Sequence, residues 1–377
     1  MISDRSQKIS PFIVMEVLER AQRMERAGEH IIHLEVGEPD FDTPPKITEA
    51  ACKSLTRGET HYTHSLGIWP LREAVARHYS EQYSISVSPE QVIITSGTSP
   101  ALLLALSAVV NPGDNVICAN PSYACYKNFI TYLNAEPNCV FVTEQDGFQY
   151  RPTEIRANIN ALTRAIMINS PSNPTGNLLS PDVMKQIAGL GPIVISDEIY
   201  HGLVYGEAAH SILEFTDNAI VLNGFSKLYA MTGWRLGYLI VPAELVRPIQ
   251  KFQQNLFISP NSFVQAGGLS ALTEHHPEIE AMVQTYNVRR RFIIDRLRDI
   301  GFGISVEPTG AFYVFANCHR FRSNSYDFAF ELLEKAKVAV TPGIDFGANG
   351  EGFLRFSYAN SIEKIAIGMD RLAAYLK

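Results

Sequence analysis

Lys227 closes the segment Asn223-Gly224-Phe225-Ser226-Lys227, directly after the apolar run Ala219-Ile220-Val221-Leu222. A lysine that a buried strand delivers to a cleft loses hydration. Its ammonium then gives up a proton more readily, and the amine becomes a nucleophile. A lone lysine is more often a solvated surface group, so its neighbours must decide. Asp197 follows Ile193-Val194-Ile195-Ser196 in the same way. A carboxylate there is costly to bury without a cation. A protonated heterocyclic nitrogen would serve, as would a structural ion pair or a helix end. Arg355 stands inside Phe353-Leu354-Arg355-Phe356-Ser357, an unusual place for a charge. Its planar fork suits a carboxylate held through two hydrogen bonds, with a structural ion pair as the alternative.

A fourth feature is Ser96-Gly97-Thr98-Ser99-Pro100. The apolar stretch from Ala101 predicts a helix, with Ser99 as its N-cap and Pro100 in its first turn. Backbone N–H groups of Thr98 and Ser99 on the glycine turn could then hold a phosphate. The pattern is not the GxxxxGK[ST] of ATP-binding loops. Arg235, eight residues past Lys227, could add a charged contact.

These groups need a frame that brings them together. Between about 90 and 241 the chain alternates short Val/Ile-rich runs with polar turns and helical stretches such as Ala101 to Val110. The runs are Val92–Thr95, Asn115–Cys118, Ala165–Ile168, Ile193–Ser196, Ala219–Leu222 and Leu236–Ile240. Near-continuous apolar strands mark a sheet covered on both faces, and the alternation predicts an α/β, mostly parallel sheet. Ligands of such sheets bind at the carboxyl ends of the strands, where Lys227, Asp197 and the Ser96–Ser99 turn all fall. Pro277 to Ile300 predicts a long helix ended by Gly301. Strand-like runs at Gly310–Phe315 and Gly352–Ser357, with helices near Tyr326–Ala336 and Ser361–Leu376, predict a smaller α+β domain.

The 377 residues are 46% hydrophobic, enough for a large core and too long for one compact one. A net charge of −7 with scattered Lys and Arg argues against a nucleic-acid surface. Five cysteines with no CxxC pair suggest neither a disulfide framework nor a zinc site, so no metal is expected. No apolar signal core or span of ~20 apolar residues is present. A cytoplasmic protein without membrane attachment is expected.

In chain order the motifs resemble the class I/II aminotransferases of pyridoxal-phosphate (PLP) fold type I, in their bacterial aspartate-aminotransferase-like branch. They are Leu34-Glu35-Val36-Gly37-Glu38-Pro39-Asp40, Tyr62-Thr63, Ser96-Gly97-Thr98, Asn120-Pro121-Ser122-Tyr123 and Asn173-Pro174-Thr175-Gly176. Asp197-Glu198-Ile199-Tyr200, Ser226-Lys227, Gly233-Trp234-Arg235-Leu236-Gly237, Pro342-Gly343 and Phe353–Ser357 complete the series. The resemblance implies a seven-stranded sheet sandwiched by helices. It places an N-terminal arm and part of the small domain at 1–45, the large cofactor-binding domain at 46–280 and the small domain at 281–377. It implies that Lys227 carries pyridoxal 5′-phosphate as a Schiff base and moves the substrate proton. Asp197 would pair with the ring nitrogen, Tyr200 and Asn173 with the ring oxygen. Tyr123 and Ile199 would flank the ring. Thr98, Ser99, Ser226 and Arg235 would hold the phosphate, with Tyr62 reaching the site of a second subunit in a homodimer. Arg355 would clamp the substrate carboxylate, helped by Asn173 and the Gly37 backbone.

One departure bears on substrate. Aspartate-specific relatives of this branch often carry Lys where this chain has Ser99, and that Lys helps bind a distal carboxylate. The segment Ser10-Pro11-Phe12-Ile13-Val14-Met15, expected to line the side-chain pocket, is apolar. The expected reaction therefore moves nitrogen between a neutral or aromatic L-amino acid and a 2-oxo acid, 2-oxoglutarate by preference. A C–S β-lyase or a synthase on the same fold is the alternative chemistry. A non-catalytic regulator is disfavoured by the complete set of site residues.

Overall fold

The computed structural model describes residues 2–377. Seven strands form the central sheet: β1 Val92–Thr95, β2 Asn115–Asn120, β3 Glu136–Phe141, β4 Thr163–Asn169, β5 Ile193–Asp197, β6 Ala219–Gly224 and β7 Gly237–Ile240. Their spatial order is β1-β7-β6-β5-β4-β2-β3. The pairs β3/β2, β2/β4, β4/β5 and β5/β6 are parallel. Strand β7 runs antiparallel to both β6 and β1. The seven-stranded sheet with flanking helices is the architecture that the sequence led one to expect.

The apolar runs are explained by what covers each face. Alternate residues of one strand enter different cores. Ile94, Ile117, Ile166, Val194 and Val221 face a core built with Leu71, Val75, Tyr79, Met184 and Val264. Ile93, Val116, Ile195 and Ile220 face the opposite one, filled by Leu102, Leu104 and Leu106 of the Thr98–Val109 helix. Each such buried side chain stabilises the fold by about 1.5–3 kcal/mol before entropy is counted.

The six apolar runs of the sequence are six of these strands; β3 is the seventh. Its Glu136-Pro137-Asn138-Cys139 start is polar because it lies at the sheet edge, where proline costs no ladder bond.

A third core joins the long Pro277–Ile300 helix to Phe312, Val314, Leu354 and Phe356, and includes Ile199 and Tyr200. Here Phe353–Ser357 is the middle strand of a three-stranded antiparallel sheet, between Thr341–Pro342 and Tyr313–Asn317. The strand expected at Gly310–Phe315 thus starts later, at Tyr313. The helix expected over Tyr326–Ala336 is α-helical only over Ser325–Glu331 and widens to a π turn through Ala336. Among the described residues no helix is long and apolar enough to cross a membrane.

Candidate active site

The sheet spends its carboxyl edge on one cavity of about 300 Å³. Asn169 ends β4, Asp197 ends β5, and Lys227 follows β6 by three residues. All three line the cavity, together with Thr98, Ser99, Tyr123, Asn173, Tyr200, Ser226, Arg235, Gly37 and Arg355. Every sequence-predicted site residue but Tyr62 is thereby brought to one place. Tyr62 is 80% exposed and outside the cavity lining. Wider grooves exist, one of about 680 Å³ beside Ser86 and Glu244, but it has no lysine or buried guanidinium on its walls.

Lys227 Nζ donates to the Gly37 carbonyl at 2.5 Å. Burial lowers its pKa to about 8, with Arg355 and Arg235 pushing the same way and Glu38 and Asp197 opposing. Its amine is thus much nearer the free-base form than an ordinary lysine. Asp197 also lines the cavity, and among the described residues it has no ion-pair partner within 4.0 Å. Its Oδ2 accepts from the Tyr126 hydroxyl at 2.6 Å and its Oδ1 from the Ile199 N–H at 3.2 Å. Burial raises its pKa, and those two hydrogen bonds restrain the rise. A cationic ring nitrogen would relieve that desolvation.

The phosphate end follows from Gly97. Its φ of +98° is open to glycine, and the helix starts at Thr98 with no side-chain cap. Ser99 is therefore not the N-cap that the sequence suggested; it lies inside the first turn. The glycine cap spends no side chain on the Thr98 and Ser99 N–H groups. A β-carbon on Gly97 would sit 2.8 Å from Arg235 Nη2, so the glycine also makes room for the guanidinium. Arg235 holds a left-handed backbone, φ +55°, and its Nη1 donates to the Thr232 carbonyl at 3.0 Å. Residues spared at a helix start, a guanidinium, a lysine and a buried carboxylate fit a phosphorylated pyridine aldehyde such as pyridoxal 5′-phosphate.

Arg355 is 3% exposed. Its Nη1 donates to Asn173 Oδ1 at 2.8 Å; its Nη2 donates to the Glu35 carbonyl at 2.5 Å and Thr341 Oγ1 at 3.2 Å. All three acceptors are neutral, and Nε is buried without a partner among the described residues. The ring of Tyr313 lies beneath the guanidinium, 4.3 Å to its centroid. A buried cation without a counter-ion is costly, so this arrangement is suited to an incoming carboxylate. The Glu35 segment is itself anchored: buried Glu35 binds His33 Nδ1 at 2.7 Å, and His33 reaches Glu25 at 3.1 Å.

Part of the lining is apolar. Phe12, Val14, Met15 and Val36 form it. Asp345 fixes this segment by accepting from the Ile13 and Val14 N–H groups at 2.9 and 3.2 Å, the start of the Ile13–Arg26 helix. The Phe12 ring meets Tyr123 edge-on at 6.0 Å. Lys227, Arg235 and Arg355 are the cations of the lining.

Sequence reasoning missed Tyr126, the partner of Asp197, and Tyr313, whose hydroxyl lies 2.8 Å from that of Tyr200. Neither stands at a strand end or in a motif: Tyr126 lies in the mixed segment Ala124-Cys125-Tyr126-Lys127 and Tyr313 in the apolar run Ala311–Phe315. The one available signal for Tyr313 was its place on the strand paired with Arg355's own.

Comparison with known proteins gives the chain's family. Residues 29–372 match the family described as aminotransferase class I and II. The chain is 43% identical to a (5-formylfuran-3-yl)methyl phosphate transaminase of Methanocaldococcus jannaschii, over 100% of both chains. It is 40% identical to an aspartate aminotransferase of Pyrococcus horikoshii, over 100% of this chain and 97% of that one. A solved Methanococcus jannaschii structure, described as similar in its active site to kynurenine aminotransferases, superposes with a TM-score of 0.92 at 42% identity over 100% of both chains.

Proposed function

This chain belongs to the class I and II aminotransferases, and we propose that it moves an amino group between an L-amino acid with a neutral or aromatic side chain and a 2-oxo acid, 2-oxoglutarate foremost. The family works with pyridoxal 5′-phosphate, which when bound supplies a carbonyl to take the amino group and a ring to delocalise the electrons left at Cα.

The protein's residues do the rest. Arg355 binds the α-carboxylate and fixes the orientation of Cα, with the Asn173 side chain holding the guanidinium flat. Lys227, its basicity already reduced by burial, takes the proton from Cα and returns it on the other side of the reaction. Asp197 would hold a proton on the cofactor's ring nitrogen, and the Tyr126 hydrogen bond favours the ionised carboxylate that this needs. Thr98, Ser99, Ser226 and Arg235 anchor the phosphate. Tyr123 and Ile199, which line the cavity, would flank the cofactor's ring, and Tyr200 would donate to its oxygen. Tyr62, exposed in the single chain, serves the site of a second copy in a homodimer.

One observation carries the reading: a buried arginine whose hydrogen-bond acceptors are neutral lines the same cavity as a lysine of lowered pKa. The side-chain preference rests on the wall of Phe12, Val14 and Met15 and on Ser99 standing where a lysine would meet a distal carboxylate. Both half-reactions need the same α-carboxylate contact, so any 2-oxo acid enters through Arg355. The relatives' substrates differ widely, from aspartate to a furan phosphate. A steady-state panel of amino donors against 2-oxoglutarate, pyruvate and oxaloacetate tests the reading. Phenylalanine, tyrosine, leucine and methionine are expected to exceed aspartate in kcat/KM. Aspartate as the best donor would overturn the preference, and pyruvate release from a cysteine conjugate without any oxo acid would overturn the reaction.

A further inference from the structure

The reaction makes no use of Cys118 and Cys139, yet the fold sets them face to face. They are register partners on the adjacent parallel strands β2 and β3, with sulfurs 3.6 Å apart. Neighbouring strands lie about 4.7–4.9 Å apart, inside the ~4.4–6.8 Å Cα separation that a disulfide accepts. Closing the bond needs rotation of the two side chains to bring the sulfurs to ~2.05 Å, with no change of strand register.

We propose that Cys118 and Cys139 are a dithiol that closes to a disulfide in the folded protein when a peroxide oxidises Cys139.

The two thiols differ in the way this chemistry requires. Cys118 is 1% exposed; Cys139 is partly exposed on the edge strand. The Cys118–Cys139 pairing, joined by the nearby Lys127 ammonium, lowers the Cys139 pKa to about 7 against the effect of burial, so Cys139 is the sulfur that ionises. Cys118 is pushed the other way by that pairing and by burial. Thiolates, not thiols, attack peroxides. Cys125 and Cys318 are held as thiols by burial. Cys52 is exposed on the Pro45–Thr56 helix and is not among these paired sulfurs.

The steps balance. The Cys139 thiolate attacks one peroxide oxygen, the O–O bond breaks, and hydroxide leaves from a new sulfenic acid. The Cys118 sulfur then attacks the Cys139 sulfur, an S–S bond forms, and the sulfenic oxygen departs with the Cys118 proton as water. Two thiols and one hydrogen peroxide give one disulfide and two waters, the sulfurs supplying both electrons. The position is two residues before Asn120-Pro121-Ser122-Tyr123, which leads into the cavity wall.

The test treats the cofactor-loaded protein with a modest excess of hydrogen peroxide, alkylates the free thiols and maps the peptides. The expected result is a Cys118 peptide joined to a Cys139 peptide, lighter by two hydrogens and separated again by dithiothreitol. In Cys118→Ser, a sulfenic-acid trap should label Cys139; in Cys139→Ser, it should leave Cys118 unlabelled. Wild-type mapping stands alone if either variant fails to fold. Cys139 passing to the sulfinic acid without linkage would overturn the proposal. So would oxidation of Cys52 while the pair stays reduced, or labelling of Cys118 in Cys139→Ser.

Discussion

Gly37 lies so close beneath Tyr313 that a β-carbon on Gly37 would overlap the Tyr313 hydroxyl. The same glycine offers its carbonyl to Lys227, and the same tyrosine meets Tyr200 and underlies Arg355. One missing side chain thus sets the spacing between the lysine and the arginine. In Gly37→Ala the Tyr313 ring must move, and with it the floor under Arg355. We expect kcat/KM to fall by ~10–100-fold, the scale of misplacing a site by about an ångström. Steady-state kinetics beside a thermal melt will show whether the loss is local, as expected, or a loss of fold.

Arg355→Lys keeps the charge and loses the fork. The ammonium cannot replace both Nη contacts and still meet a carboxylate with two parallel bonds. We expect kcat/KM to drop by roughly 10²-fold or more, or ~3 kcal/mol, for the amino donor and the oxo-acid acceptor alike. A loss confined to one substrate would mean that Arg355 does not serve both half-reactions.

Tyr126→Phe removes the 2.6 Å hydrogen bond to Asp197 and leaves burial less opposed. The Asp197 pKa is already raised and should rise further, so its grip on a ring N–H weakens. Cofactor binding, followed by fluorescence quenching, should be roughly tenfold weaker, about 1–1.5 kcal/mol. An unchanged dissociation constant would remove Tyr126 from the site.

Lys227 in the apo-protein is a cation that burial disfavours. Its folded pKa of about 8 lies below the ordinary lysine value of 10.5. Between those limits the unfolded chain binds more protons, so stability rises with pH across that window and the cost is fully present below it. Lys227→Met should therefore abolish activity yet stabilise the apo-protein at pH 7 by ~1–2 kcal/mol, discounted because the side chain is only partly buried. The difference should shrink as pH climbs past 8 toward 10.5. Urea unfolding of both proteins at several pH values reads this directly.

Much of this site was legible because chemistry sits at strand ends. Lys227 and Asp197 each follow a run that packs into both cores, so their polarity at that point stood out. Arg355 was legible as a charge in the middle of an apolar strand. Strand β3 was not, since an edge strand exposes one side and tolerates Glu136, Pro137 and Asn138. The helix start was read two residues late, because Ser99-Pro100 mimics a cap while Gly97 actually bends the chain. Tyr126 and Tyr313 were hidden by ambiguity of type: a buried tyrosine ring looks like core until its hydroxyl has a partner. The Gly37–Tyr313 contact spans most of the sequence and has no local signature at all.

The central claim is that Lys227 and Arg355 carry amino-group transfer from an uncharged or aromatic amino acid. The most direct measurement is a single-turnover reaction of the cofactor-loaded protein with phenylalanine, leucine or aspartate and no oxo acid. The account predicts stoichiometric conversion of the cofactor's aldehyde form to its amine form, with one equivalent of the matching 2-oxo acid released. It should be fastest with phenylalanine or leucine and absent in Lys227→Met. Conversion fastest with aspartate, or undiminished without Lys227, would contradict it.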